Sequence, residues 1–276
     1  MTDSQRTPST TQVRHVELIE PMARAAGGLL RERFGNPGPI TGKGQLHDTD
    51  RIYDVVTELD FACEQLIVES IRALSPNAVV LAEEGGVSLA NPDQPIATLA
   101  DAEDLWLVDP LDGTVNFAHS IPFFCVSIAR YQCGVPVAGV IYDPMLDELF
   151  AFEGDEATRN GEPISVRQGK SPNESILGVG SLGTRAQVVA REFRSWRRMG
   201  SAALSLAYVA CGRYDAYVQL GNLAPWDYGT GAPLVLAAGG TLTDHLLEQW
   251  IHPLEGMTGV VAAPQGIHAR ITELLS

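Results

Sequence analysis

The sequence predicts an α/β fold in the broad sense, α+β with mixed sheets, and three features carry that expectation. Amphipathic helical stripes alternate with short apolar runs that end in acidic residues. Residues 122–166 repeat strand and turn signals with no helical pattern between them. A chain of 276 residues, 45% of them hydrophobic, can also bury a core large enough for helices and sheets to stack in layers.

Residues 1–12, MTDSQRTPSTTQ, are polar and predict a frayed tail. Within 13–34, Val16, Ile19, Ala23, Ala26 and Leu30 recur at helical spacing. The next stretch, 35–54, is Gly/Pro-rich and then polar, which predicts a long loop or hairpin. A helix over Glu58–Leu74 follows, with Thr57 at its N-cap and an apolar face of Leu59, Cys63, Leu66, Ile67, Ser70, Ile71 and Leu74. Asp60 falls in its first turn, where the helix dipole favours a carboxylate. Val79–Ala82 and 105–108 read as short buried strands, closing on Glu83-Glu84 and on Asp109. The meander turns at Gly134, Asp143-Pro144 and Asn160-Gly161. Then the order changes: strand 176–179, helix 184–196, small-residue helix 201–211, strand 215–220, helix 226–238 stopped by Gly239-Gly240, and a last helix 267–275. The change sets a boundary near residue 172, dividing an N-terminal half, 13–172, from a C-terminal half, 173–276.

Net charge is −15, so the chain lacks the Lys and Arg that displace counterions from a nucleic acid, and nucleic acid is not expected as a main partner. An acidic protein can still handle an anionic substrate where divalent cations invert the local field. The N-terminus has no apolar signal core and no long uncharged apolar run follows, which predicts a cytoplasmic protein with no membrane segment. Cys63, Cys125, Cys133 and Cys211 are scattered, without the spacing of a zinc site or redox pair.

Three acidic clusters sit at the ends of apolar segments: Glu83-Glu84, Asp109 with Asp112, and Asp227. Alone, each reads as turn or capping chemistry. Together they suit Mg²⁺, a hard cation that takes carboxylate and carbonyl oxygens. Two such ions roughly 3.5–4 Å apart can activate water and stabilise the departing oxygen of a phosphoryl group. Pro110 restricts the backbone between the aspartates and Gly113 lets it approach a phosphate closely, so the amides of Gly113 and Thr114 are candidate phosphate donors.

On these residues the chain resembles the inositol monophosphatase family. The first signature reads Trp106-Leu107-Val108-Asp109-Pro110-Leu111-Asp112-Gly113-Thr114-Val115-Asn116-Phe117, and the second runs from Trp226-Asp227 to Gly239-Gly240. Glu83-Glu84 and Val56-Thr57-Glu58-Leu59-Asp60 stand in the family's order, and the likeness spans roughly 13–275. The resemblance implies a layered αβαβα sandwich and hydrolysis of a small phosphorylated polyol or sugar. It implies two or three Mg²⁺ per site, inhibition by lithium, and a homodimer. Metal ligands would be Glu83, Asp109, the Leu111 carbonyl, Asp112 and Asp227. Glu83 and Thr114, with Asp60 hydrogen-bonded behind Thr114, would position and deprotonate the attacking water; Gly113 and Thr114 would hold the phosphate. Gly200, Ser201, Ala202, Gln219 and Asp227 would contact the substrate.

The implied reaction is direct in-line attack by water. Phosphatases with an aspartyl nucleophile carry a similar string one residue shorter, without Pro110 in the gap. Gln219 stands where inositol-specific members place a glutamate, and the run from Gln219 to Trp226 is one residue longer. Histidinol phosphate, fructose 1,6-bisphosphate and nucleotide 3′-phosphates therefore remain rival substrates. The expanded loop with Lys43 precedes Asp54, in a region that helps the family bind a third metal. Gly229 and Thr230 replace common alanines and are expected to be mild changes. His119 reads as structural, and His47 lies in the long loop. Arg191, Arg194, Arg197 and Arg198 read as a solvated helix face, or as a rim attracting an anionic substrate or a macromolecular partner. The last option fits a reading of another class, a regulatory component of transcription antitermination, as in one bacterial branch of the family.

Overall fold

The computed structural model describes residues 13–38, 40–42, 55–89, 98–181, 183–250, 254 and 256–276, with the backbone alone at 40–42 and 55–57. The expected tail 1–12, the Thr57 side chain, and the 43–54 loop with Lys43 and His47 lie outside the described residues. In chain order the elements are α1 (His15–Arg33), β1 (Ile40–Gly42), β2 (Val55–Thr57), α2 (Glu58–Leu74), β3 (Val79–Ala82), β4 (Gly86–Ser88), β5 (Leu105–Asp112), α3 (Thr114–Ala118), β6 (Cys125–Gln132), β7 (Val135–Asp143), β8 (Glu148–Glu153), β9 (Glu156–Arg159) and β10 (Glu162–Pro163). They continue as β11 (Ile176–Val179), α4 (Thr184–Glu192), β12 (Ser195–Arg197), α5 (Ala202–Ala210), β13 (Ala216–Leu223), α6 (Pro225–Tyr228), α7 (Gly231–Ala237), β14 (Thr241–Asp244), β15 (Thr258–Ala263) and α8 (Gln265–Leu275).

Both main sheets are mixed. The larger runs β10-β9-β8-β7-β6-β5-β3-β4, with β3 and β5 parallel and the other pairs antiparallel. The smaller runs β12-β11-β13-β15-β14, with β11 parallel to both its neighbours. The apolar stripes of α1 and α2 seal one face of the larger sheet over Ile19, Leu30, Cys63, Ile67, Trp106 and Val126. Between the sheets, α5 and α7 bury Ala203, Leu204, Leu206 and Leu234 against Phe150 and Val260. On the far side, α4 and α8 cover Leu177 and Val218 with Val189, Ile267 and Ile271. The order of layers is helix, sheet, helix, sheet, helix, as expected for the αβαβα sandwich. Among the described residues no helix is long and apolar enough to cross a membrane.

Three local expectations are corrected. The helix expected over 184–196 ends at Glu192: Phe193 turns into the core, 7% exposed, and Ser195–Arg197 pairs with β11 as an edge strand. Arg194, Arg197 and Arg198 therefore do not share a helix face with Arg191. The helix expected over 226–238 is two helices, α6 and α7, separated at Gly229-Thr230. Finally, the strand expected to close at Asp109 continues to Asp112.

That continuation decides where the acids point. In the β5–β6 pairing Asp109 faces Ser127 and Asp112 faces Cys125, so β5 advances three residues while β6 advances two. In a regular pleat, residues three apart project to opposite faces. The extra residue is a β-bulge, and it returns both aspartates to one face.

Candidate active site

Asp109 is 1% exposed and lies within the electrostatic reach of three other acids. Burial pushes its carboxyl well above the usual aspartate range, and the charges of Glu83, Asp112 and Asp227 raise it further, as does a hydrogen bond with Glu83. Its Oδ1 also accepts the Leu111 N–H at 3.1 Å.

Asp112 is buried too, but in a cradle of donors. Its Oδ2 accepts from Ser201 Oγ at 2.5 Å and from the Ala203 N–H at 2.7 Å, while the Ala202 N–H lies 3.3 Å from Oδ1. Those amides open α5, so Asp112 in the N-terminal half completes the first turn of a helix in the C-terminal half. Burial still dominates, raising the carboxyl to about 6 against the opposing pull of Ser201, Ala203 and Ala202.

Gly113 begins α3 at φ 97°, a left-handed conformation that favours glycine. A Cβ there would lie 3.0 Å from the Phe123 carbonyl oxygen and 3.1 Å from the Phe124 Cβ. The next residue, Thr114, places Oγ1 3.2 Å from Asp60 Oδ1 and 3.0 Å from the Leu111 carbonyl. Asp60, in the first turn of α2, is 0% exposed, so Thr114 offers it a hydrogen bond where water is scarce. Glu83 follows β3 in a turn whose amide donates to the Val108 carbonyl at 3.2 Å, beside Asp109.

Asp227 lies on α6 and its Oδ2 accepts the Ala224 N–H at 2.7 Å. With Asp112, Gly200, Ser201, Ala202 and Gln219 it lines a cleft of about 240 Å³. Gln219 Oε1 accepts from Tyr217 Oη at 2.7 Å, and its amide occupies the space a side chain at Gly180 would take, where a Cβ would come 1.7 Å from that oxygen. Arg198 Nε donates to the Gly180 carbonyl at 3.1 Å, which puts this arginine at the cleft's edge. His119 caps the C-terminus of α3 and is exposed.

The structure puts Asp109, Leu111 and Asp112 at the end of β5, Glu83 in the turn after β3, Asp60, Thr114 and Ser201-Ala202 at the starts of α2, α3 and α5, and Gln219 and Asp227 on the cleft. Among the described residues no three His, Cys, Asp or Glu side chains close on one point as placed; the four acids meet through their charges rather than as a finished cage. The donor set nevertheless fits a hard divalent cation: carboxylates and a carbonyl, with one acid buried among three like charges.

Three contributors escaped the sequence reading. Glu64, 8% exposed, stands one helical turn after Asp60 on the same face of α2 and accepts the Glu84 N–H at 2.8 Å, holding the Glu83-Glu84 turn. A charge in line with an apolar stripe was the available signal. Asn116 donates to the Phe123 carbonyl at 2.7 Å and the Met199 carbonyl at 2.6 Å, tying the Asp-Gly-Thr segment to the Gly200 turn. Tyr217 orients Gln219 from two residues away, on the same side of β13.

Comparison with known proteins agrees with this fold. The model of the inositol monophosphatase family matches residues 13–276. The chain is 37% identical to inositol monophosphatase 1 of Solanum lycopersicum over 234 residues, covering 80% of this chain and 81% of that protein. It is 37% identical over 228 residues to the fructose-1,6-bisphosphatase/inositol-1-monophosphatase of Thermotoga maritima, covering 81% and 82%. The crystal structure of the extragenic suppressor protein suhB from Bartonella henselae superposes with a TM-score of 0.82 at 31% identity, covering 95% of this chain and 98% of that one. With a family model matched from residue 13 to the last residue, curated relatives at 37% identity and a solved structure that superposes over nearly the whole chain, the chain belongs to the inositol monophosphatase family and is a phosphoric monoester hydrolase.

Proposed function

We propose that this chain hydrolyses the phosphate monoester of a small polyol or sugar, with Mg²⁺ as its cation. The observation that carries the reading is the burial of Asp109 among Glu83, Asp112 and Asp227, a concentration of negative charge that a divalent cation neutralises. Glu83, Asp109, the Leu111 carbonyl, Asp112 and Asp227 would hold two or three such ions. Bound there, they supply Lewis-acid polarisation of phosphoryl oxygens and lower the pKa of water.

The protein's own part is orientation and proton handling. When Thr114 donates its proton to Asp60, its oxygen lone pairs are left to accept from water. Glu83, on the neighbouring turn, would take the proton the water gives up. The backbone amides of Gly113 and Thr114 receive the phosphate oxygens. In the cleft, Gln219, Ser201 and Asp227 offer donors and acceptors to a hydroxyl-rich leaving group, a surface suited to a polyol. Gln219 brings no charge, so neutral hydroxyls match it better than a cationic amine does.

Phosphate release across inositol, sugar, histidinol and nucleotide 3′-monophosphates and fructose 1,6-bisphosphate, with and without Mg²⁺ and Li⁺, tests the reading. Mg²⁺-dependent, Li⁺-inhibited turnover of a polyol or sugar ester supports it, and no turnover of any ester sinks it. Light scattering tests the homodimer that belongs to the same reading.

A further inference from the structure

The step from α6 to α7 is held by β6. Gly229, after the last residue of α6, offers its carbonyl to Tyr131 Oη at 2.7 Å, and Thr230 Oγ1 accepts a hydrogen bond from Ser127 Oγ at 2.8 Å. Ser127 and Thr230 are each 1% exposed, so bulk water offers neither hydroxyl an alternative partner. The fit around them is close. The Thr230 methyl packs over β7, where a Cβ on Gly139 would lie 2.9 Å from it. A Cβ on Gly229 would lie 2.3 Å from Leu107 Cδ1 and 2.6 Å from the Pro225 carbonyl oxygen.

Ser127 is also the register partner of Asp109, so the two side chains leave adjacent strands on the same face. Thr230 follows Asp227 across the helix break. One hydroxyl pair therefore joins the stretch of β6 beside Asp109 to the segment that carries Asp227.

We propose that the Ser127–Thr230 hydrogen bond is a positioning contact for the cation site, setting Asp227 against Asp109 without touching substrate or cation. The inference rests on the proposed function, since it concerns the two carboxylates assigned there to the same cluster. Its content differs from ordinary core packing. Valine at 230 keeps the volume and the methyl over Gly139 but leaves the Ser127 hydroxyl buried without its partner. A space-filling role tolerates that change; a positioning role does not.

The test uses the full chain stripped of metal, titrated calorimetrically with Mg²⁺ and Mn²⁺, with melting in EDTA and phosphate release measured alongside. T230V and S127A should each weaken cation binding by about three- to tenfold, the effect of one lost buried hydrogen bond. The Mg²⁺ concentration for half-maximal activity should rise by the same factor. T230S should return to near the wild-type value, and S127A/T230V should be no worse than the poorer single variant, because both remove one contact. General destabilisation would lower the melting temperature while leaving the folded protein's cation affinity unchanged. Cation affinities of T230V and S127A within twofold of wild type overturn the inference, whatever their melting temperatures. Should T230V not fold, S127A decides alone. A wild-type chain that binds no Mg²⁺ overturns both this inference and the proposed function, whereas wild-type binding matched by the variants overturns only this one.

Discussion

Stripped of divalent metal, the protein should lose stability as pH rises through the weakly acidic range. Unfolded, Asp112 titrates near the ordinary aspartate value of 3.8; folded, it titrates at about 6. Between those values the native state keeps a proton that the unfolded chain has released, so raising the pH favours unfolding. At about 1.4 kcal/mol per decade, the interval amounts to about 3 kcal/mol, fully felt above pH 6. Asp109, raised well above the usual range by burial and three like charges, adds to the loss and extends it to higher pH. Asp143, raised chiefly by burial, acts in the same direction. His268, lowered by burial, acts in the opposite direction, and the lowered Asp147 and Glu174 are exposed, where solvent screens them.

Calorimetric melting in EDTA between pH 4.5 and 8 measures the effect, with about 0.5 M salt to screen the repulsion of the surface charge. About 1 kcal/mol of the loss already falls below pH 4.5, which leaves about 2 kcal/mol within the window. A chain of this size moves by about 2–4 °C per kcal/mol, so the Asp112 contribution alone lowers the melting temperature by about 4–8 °C. Mg²⁺ should restore most of it at pH 7.5 and little at pH 4.5, where protonated carboxyls do not ligate. A melting temperature that is flat or rising across the interval in EDTA, or equal stabilisation by Mg²⁺ at both ends, would refute the reasoning.

Other consequences are equally open to measurement. Asp109→Asn and Asp227→Asn should each lower turnover at saturating Mg²⁺ by about a thousandfold or more, since each removes a charge from the cation cluster; steady-state activity within tenfold of wild type would contradict the assignment. Gly113→Ala should destabilise the protein by about 1–3 kcal/mol, because φ 97° is strained for alanine and its Cβ meets the Phe123 carbonyl, and urea unfolding reads this directly. Gln219→Leu should raise KM for a polyol phosphate by about fivefold, while p-nitrophenyl phosphate, whose leaving group carries no hydroxyl array, should be hydrolysed as before.

Much of the site was legible because its residues are concentrated in short strings. Asp109 to Thr114 are consecutive after an apolar strand, and Trp226-Asp227 marks a helix start, so local pattern was enough to find them. The layers followed from periodicity, which needs no partner to be seen. What escaped depends on contacts distant in sequence. Gly229 and Thr230 each fit within a helix, and the break there involves Tyr131 and Ser127, whose influence no window around 226–238 contains. The early end of α4 depends on Phe193 finding the small sheet's core, and the edge strand after it depends on β11. Asp112 looked like a free ligand because the donors that occupy it belong to a helix in the other half of the chain.

The odd spacing between Asp109 and Asp112 makes β5 sensitive to number as well as to chemistry. Shorten the Pro110-Leu111 link by a single residue and a regular pleat, with no bulge, sets the two carboxylates on one face; run a regular pleat through the present link and the second carboxylate points away from its neighbour. Exchange Leu111 for another side chain and that phase is untouched. Side-chain substitutions in this segment therefore leave the residue count unchanged, and at this count the acid pair keeps to one face only while the bulge persists.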